Sequence, residues 1–402
     1  MKNMVYIQSG GPTSVINSSL YGAIKEAQKH PDQINKIYGS MHGVEGLMVD
    51  DLIDISKEDP EQIELLLQTT GSILGTTRRK LPQNIHSIEY QFIIENLIKH
   101  EIKYVFVNGG NDSMDTCYKL SQLVKEMNLD ITVVGVPKTI DNDLACTDHS
   151  LGFPSAAKFV INSISAMAKD AQCFAVGKIH VFEIMGRNAG WLTAAADVLP
   201  EDTRPDLFYI PEVEFKIDDF LKEVKEVYDR KGYALVAVSE GIQVPRSGSR
   251  VQRVDGFGHA QLGGAASSLC HVIEATLDLP TRSVEFSLIQ RAMPQLVSKV
   301  DREEAIATGE LAVKAALEGR TGKMVVFKRV SSNPYKIRME LCDVREVANA
   351  ESVITPELMC DRTRFSDKFR NYIRPLIEGE VDLKYENGVA KMAKFNYYKV
   401  EK

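Results

Sequence analysis

Short apolar runs alternate with longer segments of helical period along most of this chain, and this alternation constrains the fold more than any other feature. The first run, MVYIQSG at 4–10, leads into NSSLYGAIKEAQK at 17–29, with Thr13 or Ser14 as the expected helix N-cap. The same order of helix and strand recurs at 89–100 and 104–110, 113–127 and 131–136, 155–171 and 178–186, 218–230 and 233–241, 264–277 and 281–290, and 302–319 and 323–330. This order predicts an α/β fold whose parallel sheets carry helices on both faces.

The strand ends are the candidate sites, because parallel sheets bind ligands at the carboxyl ends of their strands. A single Gly-Gly pair after a strand is more often just a tight turn, but six polar or glycine-rich strand ends together favour a binding site. They are QSGGPTSVIN at 8–17, GSILGTTRRK at 71–80, GGNDSMDT at 109–116, GVPKTIDNDL at 135–144, EIMGRNAGW at 183–191 and VSEGI at 238–242.

These strand ends carry the groups that phosphoryl transfer requires. Arg78 and Arg79 offer guanidinium donors for phosphate oxygens. Asp115, Asp141 and Asp143 offer hard oxygen ligands for a divalent cation, or a base. Neither G-x-x-x-x-G-K-[ST] nor a G-x-G-x-x-G after a strand occurs, since GRTGKM has the wrong spacing. A P-loop enzyme and a dinucleotide-dependent dehydrogenase are therefore disfavoured.

Composition excludes several classes of protein. A chain of 402 residues is long enough for two or three compact domains, and its composition of 44% hydrophobic and 26% charged residues is typical of a globular protein. The net charge of -7 argues against nucleic acid or an acidic membrane surface as the main partner. The start MKNMVYIQSGG lacks the features of a secretory signal, and no apolar run approaches the roughly 18 residues of a membrane span. We expect a cytoplasmic protein.

The six cysteines, Cys117, Cys146, Cys173, Cys270, Cys342 and Cys360, lie far apart in the sequence. The chain contains no C-x-x-C pair, so the spacing suggests neither a zinc site nor a disulfide framework. We expect all six to be buried small hydrophobic residues.

The motifs in combination resemble the 6-phosphofructokinase family. GVPKTIDNDL with its TIDND core, GGNDS, SGGPTSVIN, MGR, SEG and LIQR follow one another over about 4–300 in the order and spacing of that family. The resemblance implies two Rossmann-like, doubly wound parallel-sheet domains with the active site in the cleft between them. Residues 1–152 with 290–345 would bind the phosphoryl donor, and 153–289 with 346–402 the sugar phosphate. It also implies Mg²⁺ as cofactor and a homodimer or homotetramer.

Two positions decide the expected donor. The resemblance implies that ATP-using members carry glycine where this chain has Asp112 and Lys138, and that the pair marks the pyrophosphate-dependent branch. Asp112 would lie where the α-phosphate of ATP must sit. Two unit charges about 4 Å apart repel by roughly 4 kcal/mol at an effective dielectric of about 20. Lys138 would reach the pyrophosphate, whereas Asp112 taken alone is also explained as a carboxylate that favours a helix N-terminus.

The resemblance assigns the remaining roles within this sequence. Asp141 would be the general base that takes the proton of the sugar 1-hydroxyl, with Thr139 and Asp143 positioning the reacting groups, although Asp143 fits a structural cap equally well. The donor would be held by Gly10, Gly11, Arg78, Gly110, Asp112, Ser113 and Lys138. The expected contacts of fructose 6-phosphate are Thr139, Asp141, Asp143, Met185, Gly186, Arg187, Glu240, Arg282 and Arg291.

Several positions depart from the family pattern. Asn111 replaces an aspartate associated with magnesium, so the metal site predicted at Asn111 is expected to share Asp112, Asp115 or Asp143. The other departures are Leu288 for a histidine, Ala292 and Met293 for glycines, and Lys178 for an arginine that reaches the neighbouring subunit's sugar site. Tyr372 and Arg374 fit an active-site cap and simple packing equally well. Two alternatives remain: an ATP-dependent 6-phosphofructokinase, and a non-catalytic sugar-phosphate-binding regulator.

Overall fold

The computed structural model describes residues 2–244, 263–348, 350–361 and 363–401. Its strands are β1 (Lys2–Gln8), β2 (Ile34–Ser40), β3 (Leu52–Asp54), β4 (Ile102–Gly109), β5 (Thr132–Pro137), β6 (Ile179–Ile184), β7 (Leu207–Tyr209), β8 (Ala234–Ser239), β9 (Thr281–Glu285), β10 (Lys323–Ser332), β11 (Tyr335–Asp343), β12 (Met359–Asp361), β13 (Arg364–Phe365), β14 (Tyr385–Glu386) and β15 (Val389–Ala390). Its helices are α1 (Ile16–Ala27), α2 (Val44–Val49), α3 (Pro60–Leu65), α4 (Ile88–Lys99), α5 (Asn111–Glu126), α6 (Phe153–Ala171), α7 (Trp191–Ala195), α8 (Ile217–Lys231), α9 (Ala265–Leu277), α10 (Lys299–Leu317), α11 (Val344–Val347) and α12 (Asp367–Ile373).

Two main sheets organise the chain. The first has seven strands in the order β11-β10-β5-β4-β1-β2-β3, and the second has four in the order β7-β8-β6-β9. The second sheet is parallel throughout, whereas the first is parallel except at its two outer pairs, β2–β3 and β10–β11. Apolar clusters cover both faces of each sheet. The predicted α/β class with parallel sheets is confirmed.

Glycines bring α10 onto α1, so a late segment of the chain packs against the first helix. A Cβ atom on Gly22 would overlap the carbonyl oxygen of Ile306, and one on Gly309 would overlap that of Ser19. The two backbones approach so closely that no side chain fits between them at these points. This contact fixes α10 on the first sheet although it follows the second sheet in sequence.

The C-terminal region contacts both sheets, which differs from the expected assignment of 346–402 to the sugar-phosphate domain alone. Phe369 and Ile373 of α12 belong to the apolar cluster of the second sheet. Phe395, in contrast, packs in a cluster of the first sheet, and Lys399 forms an antiparallel bridge with Ile53 of β3. The tail lies there because β3 is the outermost strand, whose free backbone groups it pairs. The other domain boundaries stay predictions.

Two local predictions were wrong. Helix α1 has Val15 as its N-cap residue and no side-chain cap, because Thr13 and Ser14 lie two positions and one position before it, where both are buried. The segment 71–80 does not end a strand but forms an irregular loop between α3 and α4. Among the described residues, no helix combines the length and the apolar content needed to cross a membrane.

Candidate active site

Residues from both main sheets line one cleft with a volume of about 1090 Å³. In the first sheet β1 and β4 are neighbours, and the following strands β2 and β5 lie on opposite sides of this pair. Such a switch in direction opens a crevice at the carboxyl ends of the strands. Gly10 and Gly110 follow β1 and β4 and line the cleft, while Met185 and Glu240 enter it from the ends of β6 and β8.

The turn at Gly10 and Gly11 lies among three cationic side chains. A Cβ atom on Gly10 would lie 3.2 Å from Nζ of Lys138. One on Gly11 would overlap the guanidinium of Arg291 and lie 3.4 Å from Nη2 of Arg78. Glycine therefore leaves room for two guanidinium groups beside exposed backbone, an arrangement suited to binding phosphate oxygens.

Lys138 is buried at the end of β5, with only 3% of its surface exposed. Its Nζ donates a hydrogen bond to the carbonyl oxygen of Gly11 at 2.6 Å. Burial, followed by the charges of Arg291 and Arg78, lowers the pKa of Lys138 to about 7. An anion that entered the cleft would stabilise the charged form of this amine.

Asp112 lies in the first turn of α5 and lines the same cleft as these cations. Its Oδ1 lies 3.4 Å from Nζ of Lys80, which also lines the cleft. The carboxylate is thus paired with a lysine and also favours the helix N-terminus. Lys80 partly neutralises Asp112, so we expect its repulsion of a nucleotide phosphate to be weaker than the sequence alone suggested.

Hydrogen bonds fix the loop 138–152 that carries the acidic side chains. Asn142 has a left-handed backbone with φ of 57° and is 4% exposed. Its Oδ1 accepts from the backbone N–H of Ser150 at 2.9 Å, and its Nδ2 donates to the hydroxyl of Tyr372 at 2.9 Å. The Tyr372 hydroxyl donates in turn to the carbonyl oxygen of Asp148 at 2.8 Å. Tyr372 therefore braces the loop from α12.

A buried histidine ties the same loop to α10. The ring nitrogens of His149 lie 2.9 Å from Oδ2 of Asp148 and 2.7 Å from Oε2 of Glu304. The ring also stacks on Phe327 with a centroid distance of 4.7 Å. Burial disfavours the charged ring, but the carboxylates of Glu304 and Asp148 outweigh it and raise the pKa of His149 to about 9. The imidazolium is therefore the stable form at neutral pH.

Asp141 and Asp143 lie two residues apart in this loop and line the cleft. Burial raises the pKa of Asp141, against the opposing charges of Arg187 and Arg291. Burial and the charge of Asp141 raise the pKa of Asp143 to about 7. A carboxylate with a pKa raised towards neutrality is suited to accept a proton in catalysis.

Two buried oxygen atoms, one on Asn111 and one on Asp143, suggest a place for a divalent cation. Nδ2 of Asn111 donates to Oδ2 of Asp143 at 3.2 Å. Within the described part of the chain, the remaining Oδ1 atoms of Asn111 and Asp143 are buried without a hydrogen-bond partner. Buried polar atoms normally have partners, and oxygen is the ligand that Mg²⁺ prefers.

The sugar side of the cleft is formed by the end of β6 and by Glu240. Gly186 adopts φ of 138°, and its N–H donates a hydrogen bond to the Glu240 carboxylate. Burial, followed by the charge of Asp141, raises the pKa of Glu240 to about 7. Met185 and Arg187 flank this glycine and both line the cleft. This arrangement provides an acceptor for hydroxyl groups next to a guanidinium.

The structure brings most predicted site residues together and separates a few. Those that line the cleft are Gly10, Gly11, Arg78, Gly110, Asn111, Asp112, Ser113, Lys138, Thr139, Asp141, Asp143, Met185, Arg187, Glu240 and Arg291. Arg282 instead lies exposed on the edge strand β9. Asp115 pairs with Lys119 at 2.6 Å outside the cleft, and Nη2 of Arg79 lies 3.9 Å from Oε1 of Glu89.

Several residues that line the cleft were not predicted. Glu183 accepts from the backbone N–H groups of Gly264 and Ala266, at 3.1 and 2.8 Å, and so caps α9 at the edge of the cleft. Its position inside a buried strand was a usable signal, because an ionised residue there needs partners. Glu285 and Glu351 add further carboxylates. Their positions depend on contacts between distant segments, which no local pattern indicates.

Comparison with known proteins agrees with this geometry. Residues 3–316 match the family model described as Phosphofructokinase. The chain is 38% identical to a pyrophosphate--fructose 6-phosphate 1-phosphotransferase from Halomonas elongata, over 100% of this chain and 97% of the relative. A relative of the same name from Methylococcus capsulatus is also 38% identical, over 96% and 94% of the two chains. The crystal structure of a pyrophosphate-dependent phosphofructokinase from Marinobacter aquaeolei superposes with a TM-score of 0.91 at 36% identity, covering 100% of this chain and 98% of that one.

Proposed function

The chain belongs to the phosphofructokinase family, and we propose that it transfers a phosphoryl group from pyrophosphate to the 1-hydroxyl of fructose 6-phosphate. The products are fructose 1,6-bisphosphate and phosphate. The reaction is reversible because the exchanged phosphoryl groups have similar energies. Full-length relatives with this activity in their names support the proposal. We propose that the enzyme acts in the cytoplasm and catalyses a step of glycolysis.

One observation carries the proposal: three cations surround the Gly10–Gly11 turn in a cleft that is also lined by two carboxylates of raised pKa. Phosphoryl transfer needs donors that hold the phosphates and a group that accepts the proton of the attacking hydroxyl. A binding protein would not need a carboxylate poised to take a proton. This argues against the non-catalytic regulator.

Each residue on the donor side of the cleft has a separate role in the reaction. Asp141 accepts the proton of the sugar 1-hydroxyl while the hydroxyl oxygen attacks the terminal phosphorus of pyrophosphate and the bridging P–O bond breaks. Lys138 offsets the charge that grows on the departing phosphate, and Arg78 holds the pyrophosphate oxygens. Thr139, whose hydroxyl accepts a hydrogen bond from the Asp141 N–H at 3.2 Å, fixes the backbone that carries this carboxylate.

The sugar phosphate is oriented by the opposite wall. Glu240 accepts hydrogen bonds from sugar hydroxyls, and the backbone at Met185 and Gly186 positions the ring. Arg187 and Arg291 supply forked donors for phosphate oxygens. Because Arg291 also borders the Gly10–Gly11 turn, it links the two substrates.

We further propose Mg²⁺ as cofactor, held by the free oxygens of Asn111 and Asp143. When bound, the ion would neutralise charge on pyrophosphate. The two buried oxygens without partners fit a cation that prefers oxygen ligands.

Arg282 supports the proposal of a homodimer or homotetramer. It lies exposed on β9, the edge strand of the second sheet in the described part of the chain, and is not among the residues that line the cleft. Lys178 precedes β6, the strand next to β9. The family resemblance implies that Lys178 occupies a position where an arginine often reaches the sugar site of a neighbouring subunit.

The donor comparison tests the function. Initial rates of fructose 1,6-bisphosphate formation are measured with magnesium and fructose 6-phosphate, using either pyrophosphate or ATP. Activity with pyrophosphate alone is expected. Activity with ATP alone would establish the ATP-dependent alternative, and activity with neither donor would refute the proposed reaction.

A further inference from the structure

Two cysteines that lie far apart in sequence meet at the edge of the first sheet. Cys146 follows the acidic loop residues Asp141 and Asp143, and Cys342 lies in β11. Glu346 of α11 completes the group, and the two Sγ atoms and a carboxylate oxygen all lie within 4.8 Å of one another. Oε2 of Glu346 is 3.8 Å from Sγ of Cys146 and 3.6 Å from Sγ of Cys342. We call these three residues the cysteine cluster.

We propose that the cysteine cluster is a zinc site, formed by two thiolates and one carboxylate, with water as the fourth ligand. A tetrahedral zinc ion with Zn–S bonds of about 2.3 Å and Zn–O bonds of about 2.1 Å holds its sulfur and oxygen ligands about 3.6 Å apart. The two sulfur–oxygen distances in the cluster agree with this value to within 0.2 Å.

The cluster is held in place without a metal ion. Cys342 pairs with Met324 in the register of β10 and β11. The Cys146 carbonyl oxygen accepts from Nζ of Lys328 at 2.8 Å, and the neighbouring Thr147 hydroxyl accepts from the Phe327 N–H at 2.9 Å. Both cysteines are therefore anchored to the same strand, so little ordering is needed when a metal binds.

The ligand types select the class of metal. Thiolates favour Zn²⁺ over Mg²⁺, which prefers oxygen. Both cysteines are half-buried and Glu346 is exposed, so the ion has a path from solvent and room for a water ligand. None of the three residues lines the active-site cleft. The site is thus separate from the proposed magnesium site.

The expected consequence is a clamp on the acidic loop. Cys146 is three residues after Asp143, whose carbonyl oxygen already accepts from the N–H of Ser352 at 2.8 Å. A zinc ion would add a link from this loop to β11 and α11. The loop would then be held by this link in addition to its hydrogen bonds with Tyr372.

The test uses the full-length protein, stripped of metal under reducing conditions and titrated with Zn²⁺, and with Co²⁺ as a spectroscopic probe. The wild type is expected to bind one zinc ion at the cluster and to show a thiolate-to-cobalt charge-transfer band. Cys342→Ser and Glu346→Gln should lose zinc uptake, and Cys342→Ser should lose most of the band. Cys173→Ser is the matched control, because Cys173 is exposed and lies outside the cluster.

Glu346→Gln keeps both thiols and changes only an exposed side chain, so we expect this variant to fold normally. A loss of zinc uptake in it would therefore reflect the missing carboxylate ligand. Retention of full uptake in both cluster variants would overturn the proposal. So would equal loss in Cys173→Ser, or failure of the wild type to bind either metal. Formation of a Cys146–Cys342 disulfide in air, detected by mass spectrometry, together with no zinc uptake by the reduced protein, would identify a redox pair instead.

Discussion

Lys138 makes the affinity for pyrophosphate depend on pH in a way that the structure specifies. In the free protein its pKa is about 7, because burial and the charges of Arg291 and Arg78 disfavour the ammonium form. A bound phosphate group beside Nζ favours that form and returns the pKa to the ordinary range of lysine or above it. Binding is therefore tightest below pH 7 and weakens as the pH rises through that value.

The size of the effect follows from the charged fraction of Lys138. With a pKa of about 7, roughly half of the side chains are charged at pH 7 and about one in a hundred at pH 9. The affinity should fall by about fiftyfold over this interval, which corresponds to about 2 kcal/mol. This is the part of the pH dependence that belongs to Lys138.

The assay is kcat/KM for pyrophosphate between pH 6 and pH 9, which reports the ionisation of the free enzyme. Pyrophosphate and its magnesium complex titrate in the same range, so the control is Lys138→Met, which removes the charge at similar volume. The ratio of wild type to variant cancels the contribution of the ligand and should fall about fiftyfold between pH 7 and pH 9. A constant ratio would refute the reasoning.

Three further predictions concern the loops around the cleft. Asp141→Ser should lower kcat by about 10²- to 10⁴-fold without lowering the melting temperature, because it removes the general base and a buried carboxylate whose ionised form does not stabilise the fold. Asp112→Gly should improve ATP as a competitor of pyrophosphate, by less than the thousandfold of an unpaired charge, since Lys80 lies 3.4 Å away. Because the pKa of His149 is raised to about 9, its protonated ring contributes about 3 kcal/mol to the free energy of unfolding. This contribution is fully present below pH 6.5 and is lost as the pH rises through about 9. Melting temperatures of the wild type should fall over this interval, and those of His149→Gln should change less.

Each of these predictions has a contrary outcome. Near-normal turnover of folded Asp141→Ser would remove its assignment as the base. Unchanged inhibition by ATP in Asp112→Gly would mean that the carboxylate serves only α5 and Lys80. If His149→Gln and the wild type lose stability equally between pH 6.5 and 9, other groups cause the loss.

The sequence predicted the parts of the site that lie within single continuous segments. The glycine turns and the TIDND loop each follow a strand, and a parallel sheet brings such strand ends together. The pairing of Lys80 with Asp112 and the meeting of Cys146 with Cys342 depend on contacts between distant segments. No local periodicity encodes such contacts.

One error, the inclusion of Asp115 among the candidate site residues, was avoidable. Asp115 precedes Lys119 by four residues on a predicted helix, which is the spacing of an ion pair, and the two are paired in the structure.

The expectation that all cysteines are buried was wrong: Cys117 and Cys270 are buried, but Cys173 and Cys360 are exposed. Composition indicates the usual environment of cysteine and not its position on a particular sheet edge.

The order of segments in the first sheet has a consequence for biosynthesis. The edge of β5 is covered only when β10 pairs with it, and β10 begins at residue 323, after the whole second sheet. The ribosome therefore releases β1, β4 and β5 long before their sheet can be completed, whereas the second sheet uses a continuous stretch from 179 to 285. An uncovered apolar edge is prone to pair with other chains. We therefore expect the dependence on chaperones to be greatest for nascent chains that end just before residue 323.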